Sequence, residues 1–146
     1  MNLKRIRLEL ARTKEFPEGN SHCGYELVAP LTPDGHLDAK GWEQAREACT
    51  VRRFWQGEDD ERGNLIRKSN GRWVFSYAPG DDDDEPIFRL DRHVFKEGEY
   101  ISITEHDGVT RPFRIVSIRS THRLVLRLGA AARKSQTRSG ARTGFC

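Results

Sequence analysis

Residues 99–119 read EYISITEHDGVTRPFRIVSIR, and the register of this one hairpin decides the fold. A two-residue Asp107-Gly108 loop would set Ser102 opposite Phe113 and Ile101 opposite Arg114, splitting the apolar residues between faces. A three-residue loop, His106-Asp107-Gly108 with Gly108 left-handed, sets Ile101 opposite Phe113 and Ile103 opposite Arg111. Ile101, Ile103, Phe113 and Ile115 then line one face. A slip of one residue exchanges the two faces, so burial decides for the odd loop. On the returning strand Arg114, Val116 and Ile118 are expected to look the other way. Two of those three are apolar, which predicts a strand covered on both sides.

The same period of two extends outward. Residues 3–12 set Ile6, Leu8 and Leu10 against Arg5, Arg7 and Glu9, a strand with one wet face. Residues 16–23 read as a loop and 24–31 as a second strand, followed by a Pro-Asp-Gly turn over 32–36. One short helix is expected around 38–49, with Asp38 as cap and Ala39, Trp42, Ala45 and Cys49 on one face. Residues 50–56 predict a strand and 58–64 a polar turn.

Asn70-Gly71 predicts a two-residue hairpin loop within 65–77. It pairs Lys68 with Trp73, Arg67 with Val74 and Ile66 with Phe75, so Ile66, Trp73, Phe75 and Tyr77 share the core face. Residues 78–86 read as an acidic loop, 87–90 as a short strand, and 119–128 as a final strand. Together these runs predict a mainly β fold, a β-barrel-like or strongly curled antiparallel sheet with the helix covering one opening. One β-rich domain spans 1–128, and 129–146 is expected to be a basic flexible tail.

Residues 93–118 carry Phe95, Gly98-Glu99, the alternating 100–103, Asp107-Gly108 and a returning strand over 113–118. This stretch resembles the hairpin of small SH3-like barrels, including KOW-type modules. The resemblance implies a barrel hairpin and carries over no functional residue.

Charge is segregated along the chain. Arg119, Arg123, Arg127, Arg133, Lys134, Arg138 and Arg142 close the chain with no acid among them. Residues 1–118 hold the other 18 of the 25 basic residues against all 22 acidic ones, a balance of −4 before an end of +7. Such asymmetry bears on partners rather than fold. No run approaches the ~20 apolar residues of a membrane helix. The charged start does not read as a signal peptide, and three scattered cysteines make no disulfide framework. We therefore expect a cytoplasmic protein without a membrane partner.

Arg133, Lys134, Arg138 and Arg142, spaced among Ser, Thr and Gly, suit phosphate contacts and are the expected anion-binding residues. The acids of 81–85 lack the spacing of a calcium loop. His22, Cys23, His36, Cys49 and Cys146 lack the spacing of a zinc site, so no metal and no cofactor is expected. Asp91 and His93 are the acid–base candidates, with His106-Asp107 at a turn tip. Trp73, Phe75 and Tyr77 read as core rather than as a stacking platform, although Arg52-Arg53-Phe54-Trp55 sets cations beside rings. The expected function is a binding module for an anionic partner, nucleic acid or an acidic protein surface. The alternatives are a small enzyme with a cleft near Asp91 and His93, or a structural protein built on exposed edge strands.

Overall fold

Ile101 faces Phe113 and Ile103 faces Arg111 across the last hairpin, with Gly108 at φ 82°, as burial required. The computed structural model describes residues 3–77, 85–86 and 94–121. Its strands are β1 (Leu3–Leu10), β2 (Asn20–Pro30), β3 (Thr50–Phe54), β4 (Glu61–Arg67), β5 (Trp73–Ser76), β6 (Glu85–Pro86), β7 (Tyr100–Thr104) and β8 (Thr110–Ser120). Helix α1 (Ala39–Gln44) and a 3-10 turn (Arg46–Ala48) stand between β2 and β3.

All pairings are antiparallel, in the order β6-β5-β4-β3-β2-β1-β8-β7. Read around the sheet, this is the order of the chain itself, interrupted only where β6 lies beside β7. The sheet curls into a half-barrel whose concave side is the core. Ile6, Leu8, Tyr25, Leu27, Val51, Leu65, Phe75, Ile101, Ile103, Phe113 and Ile115 fill it, each at most 2% exposed. Burying each of the larger aliphatic or aromatic side chains stabilises the fold by roughly 1.5–3 kcal/mol.

The two ends of the barrel are closed by different chemistry. Asp38 caps α1, its Oδ1 accepting the Gly41 N–H at 3.1 Å. The helix thereby lays Trp42 over one end, edge-on to Trp73 at 5.6 Å, with Trp42 Nε1 donating to the Leu65 carbonyl. The opposite end, where β3 finishes and β7 turns into β8, is closed by charged side chains. Near the helix end, Thr121 bonds back to the Leu3 carbonyl through its N–H and its hydroxyl.

Several local expectations are corrected. The 65–77 hairpin pairs Leu65 with Phe75, Ile66 with Val74 and Arg67 with Trp73. Lys68 N–H reaches the Arg72 carbonyl, so the loop is Ser69-Asn70-Gly71, with Gly71 at φ 84°. Leu65, fully buried, therefore takes the core position assigned to Ile66; burial again outweighed the dipeptide signal.

A bulge at Val116 pairs Arg7 with Ser117 but Leu8 with Ile115. The extra residue turns Ile118 inward, against the core, rather than outward with Arg114. Residues 20–23 and 61–64 are strand, not loop and turn. Their polar side chains are tolerated because the ladder partners and the solvated face decide, not propensity. The helix is shorter than 38–49, finishing in the 3-10 turn. Glu85, expected in a loop, pairs with Phe75. Arg119 and Ser120 complete β8 instead of opening a new strand. The candidates Asp91, His93, Arg133, Lys134, Arg138 and Arg142 lie outside the described residues, as do the strand expected at 87–90 and the acids 81–84.

Candidate functional site

Period two along β7 runs Ile101, Ile103, Glu105, so the residue just past the strand still points into the barrel. Glu105 is 2% exposed and Glu85, from β6, is fully buried. Arg53 of β3 lies beside them, its Nε 3.1 Å from Glu105 Oε2 and 3.9 Å from Glu85 Oε2. Arg111 closes the other side, Nη1 donating to Glu105 Oε1 at 2.7 Å. Trp55 roofs the cluster, with the Arg53 guanidinium 4.3 Å and that of Arg111 5.8 Å from its ring. Two cations thus flank Glu105, and the desolvation of three charges is offset by short, charge-assisted hydrogen bonds.

One hydroxyl joins the two carboxyl groups. Tyr25 Oη lies 2.6 Å from Glu105 Oε2 and 3.0 Å from Glu85 Oε1. It has a single proton and cannot donate to both. Burial and the neighbouring Glu105 push the Glu85 carboxyl above its ordinary range, against the hydrogen bonds it receives from Tyr77, the His106 N–H and Tyr25. The shorter contact, to Glu105, is the one the phenol proton serves best. Tyr77 Oη at 2.7 Å and the His106 N–H at 3.0 Å satisfy the rest of Glu85. Burial and Glu85 hold both phenols well above the usual tyrosine range, so they remain neutral. Burial opposes the charge on Arg53, yet Glu105 outweighs it and keeps the guanidinium protonated. The network is closed to solvent and every carboxyl oxygen is engaged. Its role is to join β6 to β7 where no ladder does so among the described residues.

The convex face of the sheet has a different character. Alternation sends Arg5, Arg7 and Glu9 of β1 outward, with Glu26 of β2, Arg52 and Phe54 of β3, Arg62 of β4, and Arg114 and Arg119 of β8. Arg7 pairs with Glu9 and Glu26, and Arg52 with Glu26 and Asp60. Arg5, Arg62, Arg114 and Arg119 are exposed, and none of them makes an ion pair among the described residues. Arg5 stands directly opposite Arg119, and Arg52 opposite Arg62. Like charges in register across an antiparallel ladder are destabilising; Arg52 is offset by its ion pairs with Glu26 and Asp60, whereas Arg5 and Arg119 make none among the described residues.

A groove of about 510 Å³ opens on this face. Its floor is Phe54, whose ring is held between the guanidiniums of Arg7 at 4.4 Å and Arg52 at 5.0 Å. Gly24 lies beneath the ring; a Cβ there would meet Phe54 Cζ at 3.0 Å and drive into the Leu8 carbonyl oxygen. A second groove, of about 500 Å³ and polar, lies between Glu9, Arg12, Glu18, Asn20, Tyr100 and Arg114, two acids beside two arginines. The two meet at Ser21.

Of the residues singled out from the sequence, Trp73 and Phe75 are core, as expected. His106 bonds Glu61 through Nε2 at 3.1 Å, and Asp107 is held below the usual carboxylate range by Arg111 and by the Val109 N–H. His22 is exposed while its neighbour Cys23 is buried, on opposite sides of β2. Cys49 is buried elsewhere, its thiol pushed up to about 11 by desolvation. Sequence reasoning missed Glu85, Glu105, Arg53 and the cationic face. The available signal for Glu105 and Arg53 was period two continued from Ile103 and Val51. Among the described residues no helix is long and apolar enough to cross a membrane. Compared with protein-family models, curated proteins and solved structures, the chain matches none.

Proposed function

We propose that this chain is a binding module that grips an anionic partner, nucleic acid above all, on the convex face of its sheet. The observation that carries the reading is the set of four outward arginines, Arg5, Arg62, Arg114 and Arg119, left without ion-pair partners among the described residues. Guanidinium forks match phosphate oxygens better than they match most other surfaces. Arg133, Lys134, Arg138 and Arg142 add cationic charge beyond the described residues and are proposed to strengthen the same contact. The buried Glu85–Tyr25–Glu105 network is sealed from solvent and is assigned a structural role.

The test is a titration of a labelled oligonucleotide over a range of salt concentrations. Four phosphate contacts on a single strand predict that log K falls with log salt at a slope of about −2.8. Replacing Arg5, Arg114 and Arg119 together by Gln is expected to weaken binding at least tenfold and to flatten that slope. Unchanged affinity in this variant rejects the face. Unchanged affinity after replacing Arg133, Lys134, Arg138 and Arg142 by Gln rejects the contribution of the C-terminal residues.

A further inference from the structure

One row of residues crosses the convex face at right angles to the strands. Tyr100 of β7 faces Arg114 of β8, Arg114 faces Glu9 of β1, Glu9 faces Gly24 of β2, and Gly24 faces Phe54 of β3. An aromatic ring stands at each end, four strand spacings apart, or roughly 19 Å at ~4.8 Å per strand. The second groove begins at Tyr100 and the first finishes over Phe54, with Ser21 common to both. The two grooves thus adjoin at Ser21 along this row.

The two rings differ in what they have free. Phe54 is almost covered, with both neighbouring guanidiniums already over its ring. Tyr100 is 56% exposed, has no place in the core, and stands beside an exposed arginine without an ion-pair partner among the described residues. An open aromatic face next to an unneutralised guanidinium meets the two needs of a nucleotide, stacking for the base and charge for the phosphate. Glu9, in mid-row, is bonded to Arg7 at 2.8 Å, a guanidinium it shares with Glu26.

Curvature selects the form of the nucleic acid. The row runs around the outside of a curled sheet. A duplex is stiff over ~150 base pairs and hides its base faces, so it would touch such a surface only along a tangent. A single strand bends freely and exposes every base to an aromatic ring. We infer that the occupant of this face is single-stranded nucleic acid, with a base stacked on Tyr100 and its neighbouring phosphates on Arg114 and Arg12. The inference rests on the reading of the convex face as anion-binding.

The experiment compares, on the full chain at one salt concentration, a labelled single strand, the duplex of the same sequence, an abasic strand of equal length, and polyglutamate. The single strand is expected to bind at least tenfold more tightly than the other three. Tyr100→Ala is expected to lower single-strand affinity roughly tenfold, with Tyr100→Phe restoring it and abasic binding unchanged. Tyr100 is outside the core, so circular dichroism should show the variant folded. Equal binding of single, duplex and abasic strands overturns the stacking inference while leaving an anion-binding face. Preference for polyglutamate overturns it in favour of an acidic protein. Failure of all four probes to bind overturns the anion-binding reading itself, and the inference with it.

Discussion

Glu85 and Glu105, twenty residues apart in the chain, share the hydroxyl of Tyr25, at 3.0 Å from one and 2.6 Å from the other. The shared phenol holds the two carboxyl groups together inside the barrel. It also ties β6, β2 and the β7–β8 turn together at a point where the sheet has no ladder of its own among the described residues.

Tyr25→Phe removes that hydroxyl and leaves two buried carboxyl groups facing each other. It is expected to destabilise the fold by about 3 kcal/mol, read from urea unfolding. Glu85→Gln keeps a neutral group of the same shape that can still donate to Tyr25 and accept from the His106 N–H. It is expected to cost less than about 1 kcal/mol at neutral pH. A loss as large as that of Tyr25→Phe would show that Glu85 is ionised.

The same arrangement sets the pH dependence of stability. Glu85 is raised above its ordinary 4.5, chiefly by burial. The unfolded chain loses this proton first as pH rises, so the contribution is full below 4.5 and is lost as pH climbs through the folded value. His106 is also raised above its ordinary 6.5. Partial burial opposes the charge, but Glu61 and Glu85 outweigh it. Its contribution is present below 6.5 and lost above. Glu26 and Asp107 run the other way. Glu26 is lowered by Arg52 and Arg7 despite some burial, and Asp107 chiefly by Arg111. Their contributions are lost in acid, below the ordinary values of 4.5 and 3.8. Thermal melts across pH should therefore peak in the mildly acidic range, and Glu85→Gln should flatten the fall on the alkaline side. A maximum above pH 7 in the unaltered protein would contradict this.

Gly24→Ala tests how the first groove is built. The new methyl meets the Leu8 carbonyl oxygen and Phe54 Cζ, and the backbone has little room to yield. A loss of about 2 kcal/mol or more is expected. Affinity for the single strand should fall with it, because a displaced Phe54 no longer holds Arg7 and Arg52 in place.

Arg5→Gln should separate stability from binding. Arg5 faces Arg119 across the β1–β8 ladder, so removing one charge relieves a repulsion. The melting temperature is expected to hold or rise slightly, while oligonucleotide affinity falls several-fold and the salt slope drops by about one contact. A fall in both would mean that Arg5 supports the fold instead.

The apolar half of this architecture was readable in the sequence, and the ionic half was not. Ile101, Ile103, Phe113 and Ile115 could be placed because a wrong register would have exposed them. Giving the Asn70-Gly71 dipeptide more weight than burial exchanges Leu65 and Ile66. Val116 looks regular because a bulge leaves no mark in alternation; only the partner strand, at Arg7 and Leu8 near the other end of the described chain, creates it. Arg53, Glu85 and Glu105 are ordinary surface residues by type. Their burial depends on Tyr25, which lies 60 and 80 residues from the two carboxyl groups, and no local pattern records such distances. The cationic face was hidden for a related reason. The net balance of −4 in residues 1–118 sums over all surfaces, whereas the sheet turns Arg5, Arg62, Arg114 and Arg119 to one face.

Thr121, the residue after β8, bonds back to Leu3, one position beyond Ser120 and two beyond Arg119. That bond closes the β1–β8 ladder beside the facing pair Arg5 and Arg119, at the end of the barrel that Trp42 covers, so the spacing of the two like charges is set by a contact neither of them makes.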